Sequence, residues 1–226
     1  MKNRVKIDVS ILFFIIIFTG LLCRFPQLSV GGISGNYFLN FIGVIIILLG
    51  TCMRMSARGY KKANSKEGQS LVVGGPYTFV RNPMYLGTLL IGAGFLLIIW
   101  PWWTLPVFIG IFYLRFRQQI IKEENHLGKL FGKKFQDYCQ SVPRLFPTLK
   151  SFRQAKLNDV FILKVAWTTK EKWGLVGWPL LAVIFRILQR NIVIDFRDAS
   201  RTMLTFILGI IVFAIMMWNL TRKKSR

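Results

Sequence analysis

The sequence predicts an all-α integral membrane protein of five to six, in the fullest reading about six, transmembrane or membrane-embedded helices. Three observations lead there. Of 226 residues, 53% are hydrophobic and 15% aromatic, and the mean hydropathy is +0.46. The apolar residues gather in runs on the scale of a ~30 Å hydrocarbon core. The 31 Lys and Arg, set against 9 Asp and Glu for a formal charge of +22, lie almost entirely between those runs. A soluble nucleic-acid binder shares such a charge but not such runs, so the expected partner is the lipid bilayer and no nucleic acid.

The first run, Val9 to Leu22, follows Lys2, Arg4 and Lys6, which is also how a secretory signal begins. No small-x-small cleavage pattern follows it, and Leu21-Leu22 precedes Cys23 where a lipoprotein site needs a small residue, so a retained span is expected. Tyr37 to Met53 is the second run. Tyr85 to Trp100 and Thr104 to Leu114 flank Pro101-Trp102-Trp103, a turn-forming proline with interfacial tryptophans, which predicts a helical hairpin at about 84–120. The fourth run continues as helix through Phe116, Ile120 and Leu127. Leu175 to Leu188 contains Pro179 and reads as a span or as a re-entrant or interfacial segment. Met203 to Leu220 is the sixth run. The chain thus divides into two N-terminal spans (1–53), a central core (54–149) and a C-terminal extension with one or two further spans (150–226).

Orientation follows from the basic residues. With the N-terminus inside and six spans, the cytoplasmic segments carry 3, 6, 13 and 4 Lys or Arg, and the outer ones 1, 0 and 4. Both termini and the two large segments, Arg54 to Asn82 and Arg115 to Trp173, are therefore expected at the cytoplasmic face. Cys23, Cys52 and Cys139 are odd in number and scattered, which supports neither a disulfide framework nor a metal site. In the extension, Asp195, Arg197, Asp198 and Arg201 alternate in sign and read as a solvated loop with local ion pairs, or as part of the acceptor's entrance.

Two dense motifs remain. In GGPYTFVRNPMYLG (74–87), Asn82 is a good N-cap and Pro83 a good first helical residue. The positive end of the helix that follows would favour an anion at the cytoplasmic rim. In KEENHLGKLFG (122–132), continuing to VPRLFP (142–147), helical spacing puts Phe116, Gln119, Ile120, Glu123, Leu127 and Leu130 along one face. A carboxylate in such a stripe needs a partner, which is either Arg81 or Arg117 or a ligand carrying positive charge.

Together these motifs resemble the membrane methyltransferase family that includes isoprenylcysteine carboxyl methyltransferases and phospholipid N-methyltransferases. The shared pattern is a GPY turn, an Arg-(His/Asn)-Pro-x-Tyr-x-Gly segment, a helical hairpin, a Glu-Glu pair, Phe-Gly and a closing Val-Pro-Arg-x-x-Pro, covering about Gly50 to Pro147. The resemblance implies S-adenosylmethionine (SAM) as methyl donor, with contacts at Gln69, Leu71, Val72, Tyr77, Asn82, Pro83, Met84, Tyr85, Glu123 and Glu124. A sulfonium and an ammonium suit the Glu pair, a carboxylate suits the helix end, and the faces of Tyr77 and Tyr85 suit a cationic centre or adenine. It also implies a lipid or lipid-linked methyl acceptor, reached from the bilayer.

The chain departs from the carboxyl methyltransferases at two positions. Asn82 stands where they have His, as in the phospholipid enzymes, and Gln119 stands where they have an acceptor-facing Arg. Gln119, with Arg115 and Arg117 as candidate counter-charges, is therefore expected to face the acceptor. An ammonium acceptor must first lose a proton, for which His126, one turn from Glu123, is the candidate base. Two other readings are open at this point: an NADPH-dependent membrane reductase of the sterol reductase type, against which the Glu pair argues by charge, and a non-catalytic membrane scaffold.

Overall fold

Tyr37–Asn64 forms a 28-residue helix, α1, because an unbroken run of Ile, Leu and Val feeds into a basic end whose Lys61 and Lys62 complement the helix dipole. The computed structural model describes residues 37–65, 68–154, 157–189, 207–212 and 214–215. After α1, a 3-10 turn at Gly75–Thr78 leads into α2 (Pro83–Ile99), α3 (Thr104–Phe131) and α4 (Lys133–Ser141). Short helices α5 (Leu149–Gln154), α6 (Leu157–Val160) and α7 (Leu163–Ala166) and a 3-10 turn at Lys170–Trp173 then precede α8 (Gly174–Gln189). The described residues are all-helical, without a strand.

The expected hairpin is α2 and α3, joined at Pro101-Trp102-Trp103, where Thr104 donates through both its amide and its hydroxyl to the Pro101 carbonyl. Trp102 and Trp103 are exposed. Six spans do not emerge: among the described residues only α1 is long and apolar enough to cross a membrane, with a mean hydropathy of 2.0. α2 is apolar but has 17 residues. α8 runs as helix through Pro179 for 16 residues, short of a full crossing at 1.5 Å per residue. The expected first span, Val9 to Leu22, and the charged stretch Asp195 to Arg201 lie outside the described residues. So does most of Met203 to Leu220, of which 207–212 is helical.

α1 and α2 pack antiparallel along a glycine seam. Gly43 and Gly50 on α1 and Gly87 and Gly94 on α2 recur every seven residues, which keeps them on one helix face. Gly50 meets Gly87 and Gly43 meets Gly94: a Cβ on Gly50 would lie 2.6 Å from the Gly87 carbonyl, and one on Gly94 2.5 Å from that of Gly43. The backbones touch because nothing stands between them. α8 lies against the N-terminal half of α1 and the C-terminal end of α2, where Ala182 joins Val44, Ile47, Leu48 and Ile98.

A second cluster sits at the polar end: Met53, Phe79, Val80, Leu86, Leu89, Phe112, Phe116, Ile120, Leu145 and Val160. It draws on both motifs, the hairpin and the extension. On α3 the buried positions beyond Thr104 are Phe112, Phe116, Ile120 and Glu124, at a spacing of four. The expected stripe through Glu123 and Leu130 is thus displaced by one residue: Glu124 is 7% exposed, Glu123 only half-buried and Leu130 exposed. The reason is the counter-charge available to Glu124, described next.

The extension is strapped across α1. Gly59 lets the Val165 backbone approach the helix. Glu171 forms ion pairs with Arg54 and Arg58, both at 3.1 Å. Arg54 also donates to the Thr88 hydroxyl, which in turn donates to the Met84 carbonyl on α2.

Candidate functional site

The two motifs meet through their backbones. Gly74 and Gly75 close over the ring of Tyr60, where a Cβ on Gly75 would lie 2.8 Å from Cδ2, and Gly75 has a φ of +60° that a side chain would strain. Tyr138 on α4 donates its hydroxyl to the Tyr77 carbonyl at 2.7 Å, holding the GPY turn from below. The Arg81 amide donates to the Pro143 carbonyl at 2.8 Å, so the VPR segment runs against the VRNP segment.

Glu124 locks this junction. Its Oε2 accepts from Arg144 Nε at 3.0 Å, and its Oε1 accepts from Asn82 Nδ2 at 3.2 Å and pairs with Arg81 at 3.6 Å. Asn82 Nδ2 also donates to the Arg144 carbonyl at 3.0 Å. These bonds explain a departure from expectation. Asn82 and Pro83 do begin α2, and the Asn82 carbonyl accepts from the Tyr85 and Leu86 amides, but the Asn82 side chain makes no cap bond because it is drawn to Glu124 and Arg144. Arg81 goes to Glu124, not to Glu123 as the sequence allowed.

Glu123, one position along and therefore turned by ~100° on the helix, faces elsewhere. Its Oε1 accepts from the Tyr85 hydroxyl and from Gln119 Nε2, both at 2.9 Å. Tyr77 is within electrostatic reach of the same carboxylate: burial, and then the Glu123 charge, push its phenol well above the usual range. Tyr85 stacks obliquely on Phe116 at 5.4 Å, which fixes its ring. A half-buried carboxylate held by two donors and bordered by Tyr77 and Tyr85 suits a cation.

Of the other expected residues, Pro83 is buried and Met84 half-buried in the first turn of α2, beside Tyr85. Leu71 and Val72 are half-buried in the stretch before the GPY turn, and Gln69 is exposed. Arg115, Arg117 and His126 are exposed on α3. Sequence reasoning assigned no role to Tyr138, or to Arg144 beyond its place in the closing motif, although both now anchor the site. An open cleft of about 660 Å³ lies on the Glu124 side, lined by Arg81, Asn125, Lys129, Gln136, Cys139 and Arg144 among others. Among the described residues no group of three or more His, Cys, Asp or Glu gathers as a metal site would require.

Tyr138 supplies a test of this junction. Burial, reinforced by Tyr77, raises its phenol above the free value of 10.0. A raised pKa on an acid means that the folded state keeps its proton longer, so the contribution is fully present below pH ~10 and is lost as pH rises beyond it. The thermal midpoint should therefore fall between pH 10 and 11.5. Tyr138→Phe should lower the folding stability by about 1 kcal/mol at pH 8, through the lost hydrogen bond, and flatten that alkaline slope. An unchanged slope would mean that Tyr138 is not buried as described.

Taken with the fold, these features define a helical, membrane-type protein with an oriented, half-buried carboxylate bordered by two tyrosines. Residues 38–134 match the family model for phospholipid methyltransferase, and the chain is also similar to isoprenylcysteine O-methyltransferases. It is 27% identical over 124 residues to protein-S-isoprenylcysteine O-methyltransferase B of Arabidopsis thaliana, covering 51% of this chain and 63% of that one. It is 28% identical over 134 residues to the protein-S-isoprenylcysteine O-methyltransferase of Schizosaccharomyces pombe, covering 56% of each. Nickel-cobalt-cadmium resistance protein NccN of Alcaligenes xylosoxydans xylosoxydans is 25% identical over 114 residues, 50% of this chain and 51% of that one. The chain thus spans about half to just under two thirds of the length of these relatives. No solved structure matches it.

Proposed function

We propose that the chain is a SAM-dependent methyltransferase of the membrane, multi-pass, acting at the cytoplasmic face on a lipid or lipid-linked acceptor by O- or N-methylation. The observation that carries this reading is the Glu123 carboxylate, held by Tyr85 and Gln119 beside the start of α2.

SAM, when bound, supplies an activated methyl on a sulfonium. The chain's residues then have binding and alignment to do rather than bond-making chemistry. Glu123 and the faces of Tyr77 and Tyr85 would hold the cationic part, and the first turn of α2, from Asn82 to Tyr85, the carboxylate. Leu71 and Val72 would line the adenine side through backbone contacts, with Gln69 at the rim. Glu124 would act through Asn82 by keeping the α2 terminus in place. Gln119 touches Glu123 and stands toward the acceptor side of α3. With an amine acceptor, His126 takes its proton; a carboxylate acceptor needs no base and would draw on Arg115 or Arg117 for counter-charge.

Incubating membranes that contain the full chain with methyl-labelled SAM, and identifying the labelled lipid fraction, tests the reading directly. Label should enter the lipid fraction and be lost in Glu123→Ala. NADPH binding, or vigorous labelling of water-soluble acceptors alone, would sink it. Gln119→Ala removes one of the two donors that orient Glu123, so the apparent affinity for SAM should fall by about three- to tenfold. Unchanged affinity would show that this bond does not orient the carboxylate.

A further inference from the structure

The strap between α4 and α8 has a composition and a setting that the site does not explain. α5, α6, α7 and the 3-10 turn have 6, 4, 4 and 4 residues, each far too short to cross a bilayer. Their inner side is fixed: Ser151, Val160, Ala166 and Thr169 are buried, and the strap is tied to α1 at Gly59 and through Glu171 to Arg54 and Arg58. Its outer side carries large apolar groups, with Leu149 82% and Trp173 73% exposed, and Phe152 and Trp167 exposed by more than half. Between them stand the exposed cations Lys150, Arg153, Lys164 and Lys170. Of the two described acids in the strap, Asp159 is exposed and Glu171 is held by the α1 arginines.

The depth of the strap is set by α1. That helix is apolar through Met53 and acquires charge at Arg54. The strap ends at this boundary: Glu171 pairs with Arg54, and a Cβ on Gly174 would touch the Thr51 side chain. Tryptophans with a polar edge, and cations on long stems, gather where hydrocarbon gives way to headgroups. Lys172 lies 5.8 Å from the Trp173 ring centroid, so apolar face and charge share one site.

We propose that residues 149–154 and 157–173 form an in-plane interfacial anchor, with Trp167 and Trp173 at headgroup level and Lys150, Arg153, Lys164 and Lys170 bound to anionic phospholipid headgroups of the leaflet at the C-terminal end of α1. The excess of unpaired cations over acids on the outer side selects an anionic over a zwitterionic surface. This inference is independent of the catalytic reading, since none of these residues touches Glu123.

The test uses the full chain in nanodiscs of phosphatidylcholine, with or without phosphatidylserine. The part of the tryptophan fluorescence removed by Trp167→Phe and Trp173→Phe should be quenched by lipids brominated close to the headgroup, and only weakly by aqueous iodide. Spin-labelled phosphatidylserine should associate at least twofold more than spin-labelled phosphatidylcholine. Combined substitution of Lys150, Arg153, Lys164 and Lys170 by Gln, all on the surface, should bring that ratio close to one without changing the thermal midpoint. Quenching of Trp167 and Trp173 by iodide but not by brominated lipid would overturn the proposal and assign the strap to water or to a protein partner. A headgroup ratio unaffected by the four substitutions would overturn the lipid selection.

Discussion

Glu123→Ala should lower SAM affinity and methyl transfer by about 100-fold while leaving the protein folded, whereas Glu124→Ala should do the reverse of the second part and destabilise it. The carboxylates are adjacent in sequence but opposite in setting. Glu123 is half-buried, and the Tyr85 hydroxyl and Gln119 amide that donate to it are uncharged. A charge-assisted contact to a bound cation is worth ~1.5–3 kcal/mol, which sets the factor of about 100 at its upper end. Glu124 is buried between Arg81 and Arg144, and deleting it leaves two guanidinium groups facing each other near Asn82. Breaking a buried pair in this way costs about 3 kcal/mol or more. Calorimetric titration with SAM and a thermal melt of each variant in the same detergent separate the two effects. Equal loss of affinity at equal midpoint for both variants would refute the division of roles.

Gly50→Leu should cost more stability than any single change on the exposed face of α3, about 3 kcal/mol or more, because the new side chain has no space to enter. Its Cβ alone would meet the Gly87 carbonyl at 2.6 Å and the Ile91 amide at 2.9 Å, both backbone atoms that cannot rotate away. Overpacking in cores typically costs ~1–3 kcal/mol, and backbone contacts leave less room to relax. Activity should fall with it, since a shift of α2 away from α1 would move Tyr85, which points from α2 to Glu123 and Phe116 on α3. Gly110→Leu is the matched control: nothing lies within 4 Å of a Cβ there, so its midpoint should not move. If both variants melt alike, the close approach of α1 and α2 is not what holds the pair together.

The hairpin and both site motifs were legible in the sequence because each is written in local chemistry. Pro101 with two tryptophans marks a turn wherever it stands, and Asn82-Pro83 begins a helix whatever follows. Glu123 stood out as a carboxylate among apolar neighbours, and the structure keeps it next to Tyr85 and Gln119, two other residues the sequence singled out. The glycine seam left a signal that went unused, namely the seven-residue spacing of Gly43 with Gly50 and of Gly87 with Gly94. Its meaning depends on two helices being antiparallel and in register, which spacing in either one alone does not state. The count of spans was less legible, because α2 and α8 are apolar but only 17 and 16 residues long, and apolar composition alone does not fix the length of a helix.

By itself, then, the sequence determined the helical membrane character, the two motifs and the family to which they point, all of which rest on composition and on short-range spacing. Only the tertiary structure decided which of two adjacent glutamates is buried against Arg81 and Arg144 and which is set beside Tyr85 and Gln119. That choice turns on Arg144 and Arg81, which are 20 and 43 positions away from Glu124 in the chain. A buried carboxylate settles where its charge is compensated, which places Glu124 between the two arginines.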